Sequence, residues 1–277
     1  MVLTVATVKV MTFNLRVMVL TDRKNAWNRR YPAAAEAIRS GQADIVCTQE
    51  GRYSMLRDLE PLIGPYAWFG EGRKGGHEDE HCAIFYNRDR WSLAESDSFS
   101  LSEQPGRLGT LSWKTNYPRM CTWGRFRSAA GGEDAKEEFA VFNTHLDHIS
   151  AEAQEKGMEL IRERMASFGS RMPLPTILTG DFNVEPDHAV IRELERHGYQ
   201  SAYSALPPAA GSLRPGRTFH GFHGGIEGEP IDYIYVTPEV QVREVLVDRQ
   251  RYDGRFPSDH YPVTSVLAWG RDAGVSP

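Results

Sequence analysis

Acidic, carboxamide and imidazole side chains recur in this chain at the edges of short apolar runs, where a buried strand would not select them. Met11-Thr12-Phe13-Asn14 turns polar at Asn14, Thr48-Gln49-Glu50 closes a second run, and Asn143-Thr144-His145-Leu146-Asp147 closes a third. Gly180-Asp181-Phe182-Asn183 ends a fourth, Ile231-Asp232-Tyr233 opens a fifth, and Ser258-Asp259-His260 precedes the last. Carboxylates and Asn with few histidines at ligand spacing suit a hard divalent cation, Mg2+ or Mn2+, held by one or two carboxylates with waters left for a substrate phosphate. Zinc would ask for closely spaced His and Cys; CxxC does not occur, and the one HExxH string, His77 to His81, falls in a Gly- and charge-rich loop, not in a helical pattern. The chemistry such a set supports is metal-assisted attack of water on phosphorus.

The strands that must carry these groups are rich in Val, Ile, Phe and Tyr and are bounded by polar, Gly or Pro clusters. They are expected at 8–15, 44–49, 83–86, 120–126, 139–144, 176–179, 231–236 and 262–268. In an α/β sheet such strand ends converge on one crevice. Strand alternation puts Asn143 with His145, and Asp181 with Asn183, on a common side, so each pair is expected in one pocket. Helices are expected over 150–168, capped by Ser150 and periodic in Met158, Ile161, Met165 and Phe168, over 31–39 with Gly41 as stop, and over 188–196. Gly, Pro and charge make loops of 70–80, 105–116, 129–135 and 207–228, and recognition of the leaving group is expected in the first, second and fourth. No repeat or composition shift divides the chain, so residues 1–277 read as one α/β domain.

Bulk composition narrows the function. The 277 residues carry a net charge of −5, which counts against a long nucleic acid as partner and favours a small phosphoester substrate. No segment approaches the ~20 apolar residues of a membrane span, and the first ten residues lack a secretory pattern, so no membrane partner and a cytoplasmic location are expected. Three isolated cysteines, Cys47, Cys82 and Cys121, read as buried free thiols. Oligomeric state has no signature.

Taken singly, Asp181 and Asn183 suit a turn, and His145 or His260 would serve as a packed structural histidine. Together the motifs resemble the endonuclease/exonuclease/phosphatase superfamily: Thr-Phe-Asn at 12–14, Gln-Glu at 49–50, Asn-Thr-His-Leu-Asp at 143–147, Gly-Asp-Phe-Asn at 180–183, Ile-Asp-Tyr-Ile at 231–234 and Ser-Asp-His at 258–260, in family order over about nine-tenths of the chain. Residues 80–86, 118–123 and 218–222 look more like the bacterial and deadenylase-like branches than the abasic-site enzymes. The resemblance implies a four-layer α/β sandwich, two packed mixed β-sheets flanked by helices. It also implies Glu50 as principal metal ligand with Asn14 and Asp259 close to the metal. Asp181 would orient or deprotonate the attacking water, and Asn183 would hold the phosphate or that water. His260 would contact the phosphate with its tautomer fixed by Asp232, and His145 would donate to a phosphate oxygen or assist the leaving group. Arg119 is a candidate phosphate clamp, and His81 and His220 are candidates for the substrate pocket. Hydrolysis of a small or sugar-like phosphoester or phosphodiester is the first expectation, and a nuclease acting on DNA or RNA the second.

Overall fold

A computed structural model describes residues 6–130, 137–206 and 215–270. Two six-stranded mixed sheets form its centre. The first runs in the order β13 (Gln241–Val247), β14 (Val263–Trp269), β1 (Ala6–Asn14), β2 (Ile45–Gln49), β6 (Ile84–Asn87) and β4 (Tyr66–Phe69). The second runs β11 (Gln200–Ser201), β12 (Asp232–Val236), β10 (Thr176–Asp181), β9 (Glu138–His145), β8 (Met120–Ser128) and β7 (Trp91–Ser100). A two-stranded ribbon joins β3 (Gly51–Arg52) to β5 (Glu80–His81).

Alternation along the strands builds the layers. Val8 and Val10 of β1 face inward and meet Phe126, Phe139, Val141, Ile177 and Ile234 of the other sheet. Met11 and Phe13 face outward and pack under α1 (Trp27–Gly41) and α2 (Tyr53–Leu59). On the far side Phe142, Leu178 and Tyr233 pack under α3 (Ala151–Arg171) and α4 (Ala189–Arg196). Both faces of the central strands are thus covered towards the site, so β2 is buried at every position and β1 at every position from Val10 on. The four-layer α/β sandwich expected from the sequence is the observed architecture.

The pairing pattern brings the polar strand ends to one place. β1 runs parallel to β2, with Asn14 opposite Gln49, and β9 runs parallel to β10, with His145 opposite Asp181. Their C-terminal ends therefore lie at one end of each sheet. β12 is antiparallel to β10, so it presents its first residue, Asp232, opposite Asp181. β14 is antiparallel to β1, so the turn before it delivers Asp259 and His260 to the same end.

Several elements differ from the sequence expectation. α1 begins at Trp27, four residues before Tyr31, and runs through Pro32. The backbone bond that Pro32 cannot make is offset by burial of Trp27, whose indole donates to Asp58 at 2.8 Å, and of Arg30. The left-handed cap of this helix is Gln42, not Gly41. Strands β4, β7 and β13 and helix α2 lie in stretches where no element was expected. Helix α3 begins as read, with the Ser150 hydroxyl accepting from the Ala153 N–H. The expected loops at 129–135 and 207–228 fall partly outside the described residues. Cys47, Cys82 and Cys121 are buried free thiols, as expected.

Candidate active site

The cleft at the shared strand end holds about 500 Å3. Glu50, Arg119, His145, Asp181, Asn183, Asp259 and His260 line it, seven of the sequence-predicted residues, drawn from both sheets. Asn14 and Asp232 are buried just behind it.

Asn14 couples the sheets. Its Nδ2 donates to Glu50 Oε1 at 3.0 Å and across the gap to Asp181 Oδ2 at 2.9 Å. Its Oδ1 accepts from the Arg16 N–H at 2.8 Å, which fixes the amide. The residue expected beside a metal thus presents nitrogen to both carboxylates, and acts as a spacer between them. Glu50 also accepts from the Val17 N–H at 2.7 Å. Glu50 sits in the left-handed region at φ 60°, a strained conformation for a non-glycine residue, and this sharp end to β2 turns its carboxylate toward Asn14. Deeper still, Gln49 Nε2 donates to Asn143 Oδ1 at 2.8 Å, and Asn143 Nδ2 donates to the Thr48 and Ala83 carbonyls. Asn143 does share a strand face with His145, but it is used up as a bolt between the sheets and does not reach the cleft.

The Gly180–Asn183 segment satisfies both readings of its sequence. Asp181 Oδ1 accepts from the Asn183 N–H at 2.9 Å, and Asn183, at φ 53°, donates through Nδ2 to the Leu146 carbonyl at 3.1 Å. This is an Asx turn, and the same turn aims both residues into the cleft. Gly180 is required because a Cβ there would lie 2.1 Å from the Thr144 carbonyl oxygen of the neighbouring strand.

His260 Nδ1 lies 2.9 Å from Asp232 Oδ2, and its Nε2 lies 3.7 Å from Asp181 Oδ2. His145 Nε2 lies 3.6 Å from the same Asp181 oxygen. The two histidines have opposite electrostatics. Burial opposes an imidazolium at His260, but the carboxylates of Asp232, Asp181 and Asp259 together outweigh it, Asp232 most, and His260 rises to about 10. His145 is driven well below the ordinary imidazole range by burial and by the Arg119 charge, so it is neutral. Burial, with repulsion from Asp232, raises the Asp181 carboxyl. Burial also raises Asp259, and Glu50 adds to it against the pull of His260.

In the metal-free protein the raised His260 contributes stability that is fully present below the ordinary imidazole value of 6.5 and is lost as pH rises through about 10. Asp232→Asn removes the first of its charge partners and leaves the burial penalty. The His260 titration followed by NMR is expected to fall to neutral pH or below in that variant. An unchanged titration would show that Asp232 does not control the ring.

The donor chemistry fits a hard divalent cation. Glu50, His145 and Asp181 bring one ligand atom each within 4.8 Å of one another, and Asp181, Asp232 and His260 form a second such group. The first group adjoins Asp259 in the cleft. The raised Asp181 and Asp259 mark an excess of buried negative charge of the kind a cation relieves.

Arg119 lines the cleft with one edge of its fork tied down, Nε to Asp147 at 3.4 Å and Nη2 to His148 Nδ1 at 2.8 Å. His81 is wholly buried and lines a recess off the cleft. His220 does not line it. Its ring is stacked on Tyr261 at 4.0 Å beside Phe256, and its backbone N–H holds the Asp259 carbonyl at 2.8 Å. In this position His220 braces the Asp259 turn. Trp123 packs on Phe142 and Phe168 under α3, whereas Phe219 is exposed at the cleft beside His260. Of the three loops expected to read the leaving group, 70–80 supplies Arg73 and Glu80 and 207–228 supplies Phe219, while 105–116 stops one residue short of Tyr117.

Arg30 is the functional neighbour that sequence reading passed over. Its guanidinium is buried and donates to four backbone carbonyls, those of Asn25, Leu15, Pro257 and Arg16. It therefore clamps the segment after Asn14 to the segment before Asp259. Arg30→Lys cannot reach four carbonyls, and a loss of about 3 kcal/mol in urea unfolding is expected. A loss below ~1 kcal/mol would mean that the clamp is not needed.

Two packed mixed sheets carry a carboxylate–imidazole cluster at their common end, with donors suited to a divalent metal. A sequence model described as "Endonuclease/Exonuclease/phosphatase family" matches residues 11–260, and the chain belongs to that family. Its members are phosphoesterases or nucleases that depend on a divalent metal. Among solved structures, an endonuclease/exonuclease/phosphatase family protein from Bacteroides thetaiotaomicron matches with TM-score 0.87 and 32% identity, covering 96% of this chain and 99% of that one. The mannosyl-6-phosphatase of the same organism matches with TM-score 0.86 and 33% identity, covering 94% and 99%. Mouse nocturnin is 22% identical over 92% of this chain, and the match spans 63% of nocturnin's own length. Among the described residues no helix is long and apolar enough to cross a membrane.

Proposed function

We propose that the protein is a Mg2+- or Mn2+-dependent hydrolase that cleaves the P–O bond of a small, sugar-like phosphate ester by direct attack of water. Charge pairing around the cleft carries this reading. Arg16 faces Asp22 and Asp259, Arg73 faces Asp79 and Glu80, and Arg119 faces Asp147. A polynucleotide backbone is bound by a run of cations free to replace its counterions. Three of the four arginines lining the cleft are matched to carboxylates, with Arg52 alone left without an ion pair among the described residues; this suits hydroxyl groups and a single phosphate, and a 500 Å3 cleft suits a small ligand. The similarity to a mannosyl-6-phosphatase supports the same substrate class.

When bound, the cation neutralises charge on the phosphate oxygens. Glu50 would be its principal ligand, with Asp259 and Asn14 beside it. Asp181 holds the attacking water and accepts its proton, a task suited to a carboxyl raised by burial. Asn183 positions the phosphate. His260, kept charged by Asp232, opposes the growing negative charge. Neutral His145 donates one N–H to a phosphate oxygen.

A nuclease is the second reading, favoured by Phe219, which is 48% exposed at the cleft and could stack on a base. A panel of sugar phosphates, plasmid DNA, single-stranded DNA and RNA, assayed with Mn2+, separates the two. The highest kcat/KM is expected on a sugar phosphate, and a higher value on any polynucleotide would reverse the order.

A further inference from the structure

One wall of the cleft ends in an imidazole that the chemistry above does not use. His148 lines the cleft and is exposed there. It lies in the turn between β9 and α3, and a closed set of bonds fixes it. The buried Asp147 carboxylate shapes the turn, with Oδ1 accepting from the Ile149 and Ser150 N–H groups at 2.9 and 2.8 Å. Its Oδ2 lies 3.4 Å from Arg119 Nε, and Arg119 Nη2 lies 2.8 Å from His148 Nδ1. A guanidinium only donates, so Nδ1 accepts and the ring N–H sits on Nε2. A bare surface histidine has no need of a fixed tautomer, whereas a donor to a ligand does.

Tyr117 completes the wall. Its ring is 48% exposed and lies 6.3 Å from the His148 ring at an interplanar angle of 26°. The Arg73 guanidinium lies 4.9 Å from the same ring and is held by Asp79 and Glu80. His148 also stands close enough to His145 for a charge on one ring to oppose a charge on the other. The wall therefore starts beside the histidine assigned above to a phosphate oxygen. Charge decides what it can hold. Arg119 and Arg73 are already matched to carboxylates, which disfavours a second phosphate. A neutral hydroxyl oxygen can accept from Nε2–H, and the exposed Tyr117 face beside it suits the apolar C–H side of a sugar ring.

We propose that His148 is a specificity-determining residue that reads the leaving group: its Nε2–H donates to one hydroxyl of the sugar, whose ring lies along Tyr117. The inference rests on the sugar-phosphate reading above and deepens it. Asp147 and Arg119 act here as positioning residues, since they set the turn and the tautomer.

The test is a cycle between substrate hydroxyls and His148 in the Mn2+-loaded protein. The substrates are the sugar phosphate turned over best, mannose 6-phosphate in the first instance, and its monodeoxy analogues. The proteins are the native chain, His148→Ala, and His148→Gln, which keeps both an acceptor for Arg119 and an N–H donor. In the native protein one monodeoxy analogue is expected to lose at least ~10-fold in kcat/KM, because a site that hydrogen-bonds a hydroxyl rejects its absence. In His148→Ala that penalty is expected to shrink to about twofold, with part of it restored in His148→Gln. A loss that acts only through a freed Arg119 falls on the parent sugar and its analogues alike and leaves the penalty unchanged. The same penalty in the native protein and the variants therefore overturns the inference alone, and so does equal turnover of every monodeoxy analogue by the native protein. Melting temperatures report folding, and His148→Phe takes the place of His148→Ala if that variant does not fold. Proton–nitrogen correlation NMR, assigned by difference from His148→Gln, is expected to place the ring proton on Nε2, and a proton on Nδ1 would overturn the inference. Failure to turn over any sugar phosphate overturns both the inference and the function it rests on.

Discussion

Replacing Asp181 with Asn is expected to lower kcat by roughly 10^3-fold while leaving Mn2+ affinity close to native, since removal of a positioned proton acceptor costs about 10^2 to 10^4 in rate. Asp181 lies at the meeting point of the cleft. Asn14 reaches it from one sheet, Asn183 closes a turn on it, and His145 and His260 approach the same oxygen. An amide keeps the shape but cannot accept a proton from water. It also offers one oxygen to two donors, Asn14 Nδ2 and the Asn183 N–H, so a stability loss of about 1–3 kcal/mol should accompany the change. Calorimetric titration of Mn2+ and steady-state kinetics separate the possibilities. A fall in kcat of less than tenfold would remove Asp181 as the proton acceptor. A collapse of Mn2+ affinity would instead make it a principal ligand.

Glu50→Gln should do the opposite, weakening Mn2+ binding by at least ~100-fold with partial rescue of turnover at high Mn2+, because even partners one step removed from a metal cost 10- to 100-fold. The native carboxylate accepts from Asn14 on one oxygen and from the Val17 N–H on the other. Gln can satisfy only one of them, so its melting temperature should also fall. Native Mn2+ affinity in this variant would overturn the assignment of Glu50 as ligand.

Most of the site was legible because its chemistry coincides with strand ends. Asn14, Glu50, His145, Asp181 and Asp232 interrupt apolar runs, and a run of buried strand residues makes an interruption visible. Edge strands give no such contrast: β7 reads Trp-Ser-Leu-Ala-Glu-Ser-Asp-Ser-Phe-Ser and β13 alternates with charge, because solvent reaches them. Parity of strand positions told that Asn143 and His145 share a face, but not that the opposing sheet covers one and leaves the other open. Arg30 was hidden for another reason. It lies in the helical turn ahead of Pro32, where the proline reads as a start, and its partners are backbone carbonyls that leave no mark in sequence. His81 and His220 looked alike as isolated loop histidines. Only packing distinguishes a ring held on the Gly51 carbonyl beside Glu50 from one stacked on Tyr261. Arg73 and Glu80 belong to the 70–80 loop that was expected to read the leaving group, although spacing alone could not single them out.

The most direct measurement is anomalous diffraction from crystals soaked in Mn2+ and inorganic phosphate. The expected result is a Mn2+ peak bound by Glu50 on the side of Asp259, with phosphate held by Asn183, His145 and His260. A peak centred between Asp181, Asp232 and His260, with Glu50 free of metal, would contradict a phosphoesterase built on Glu50.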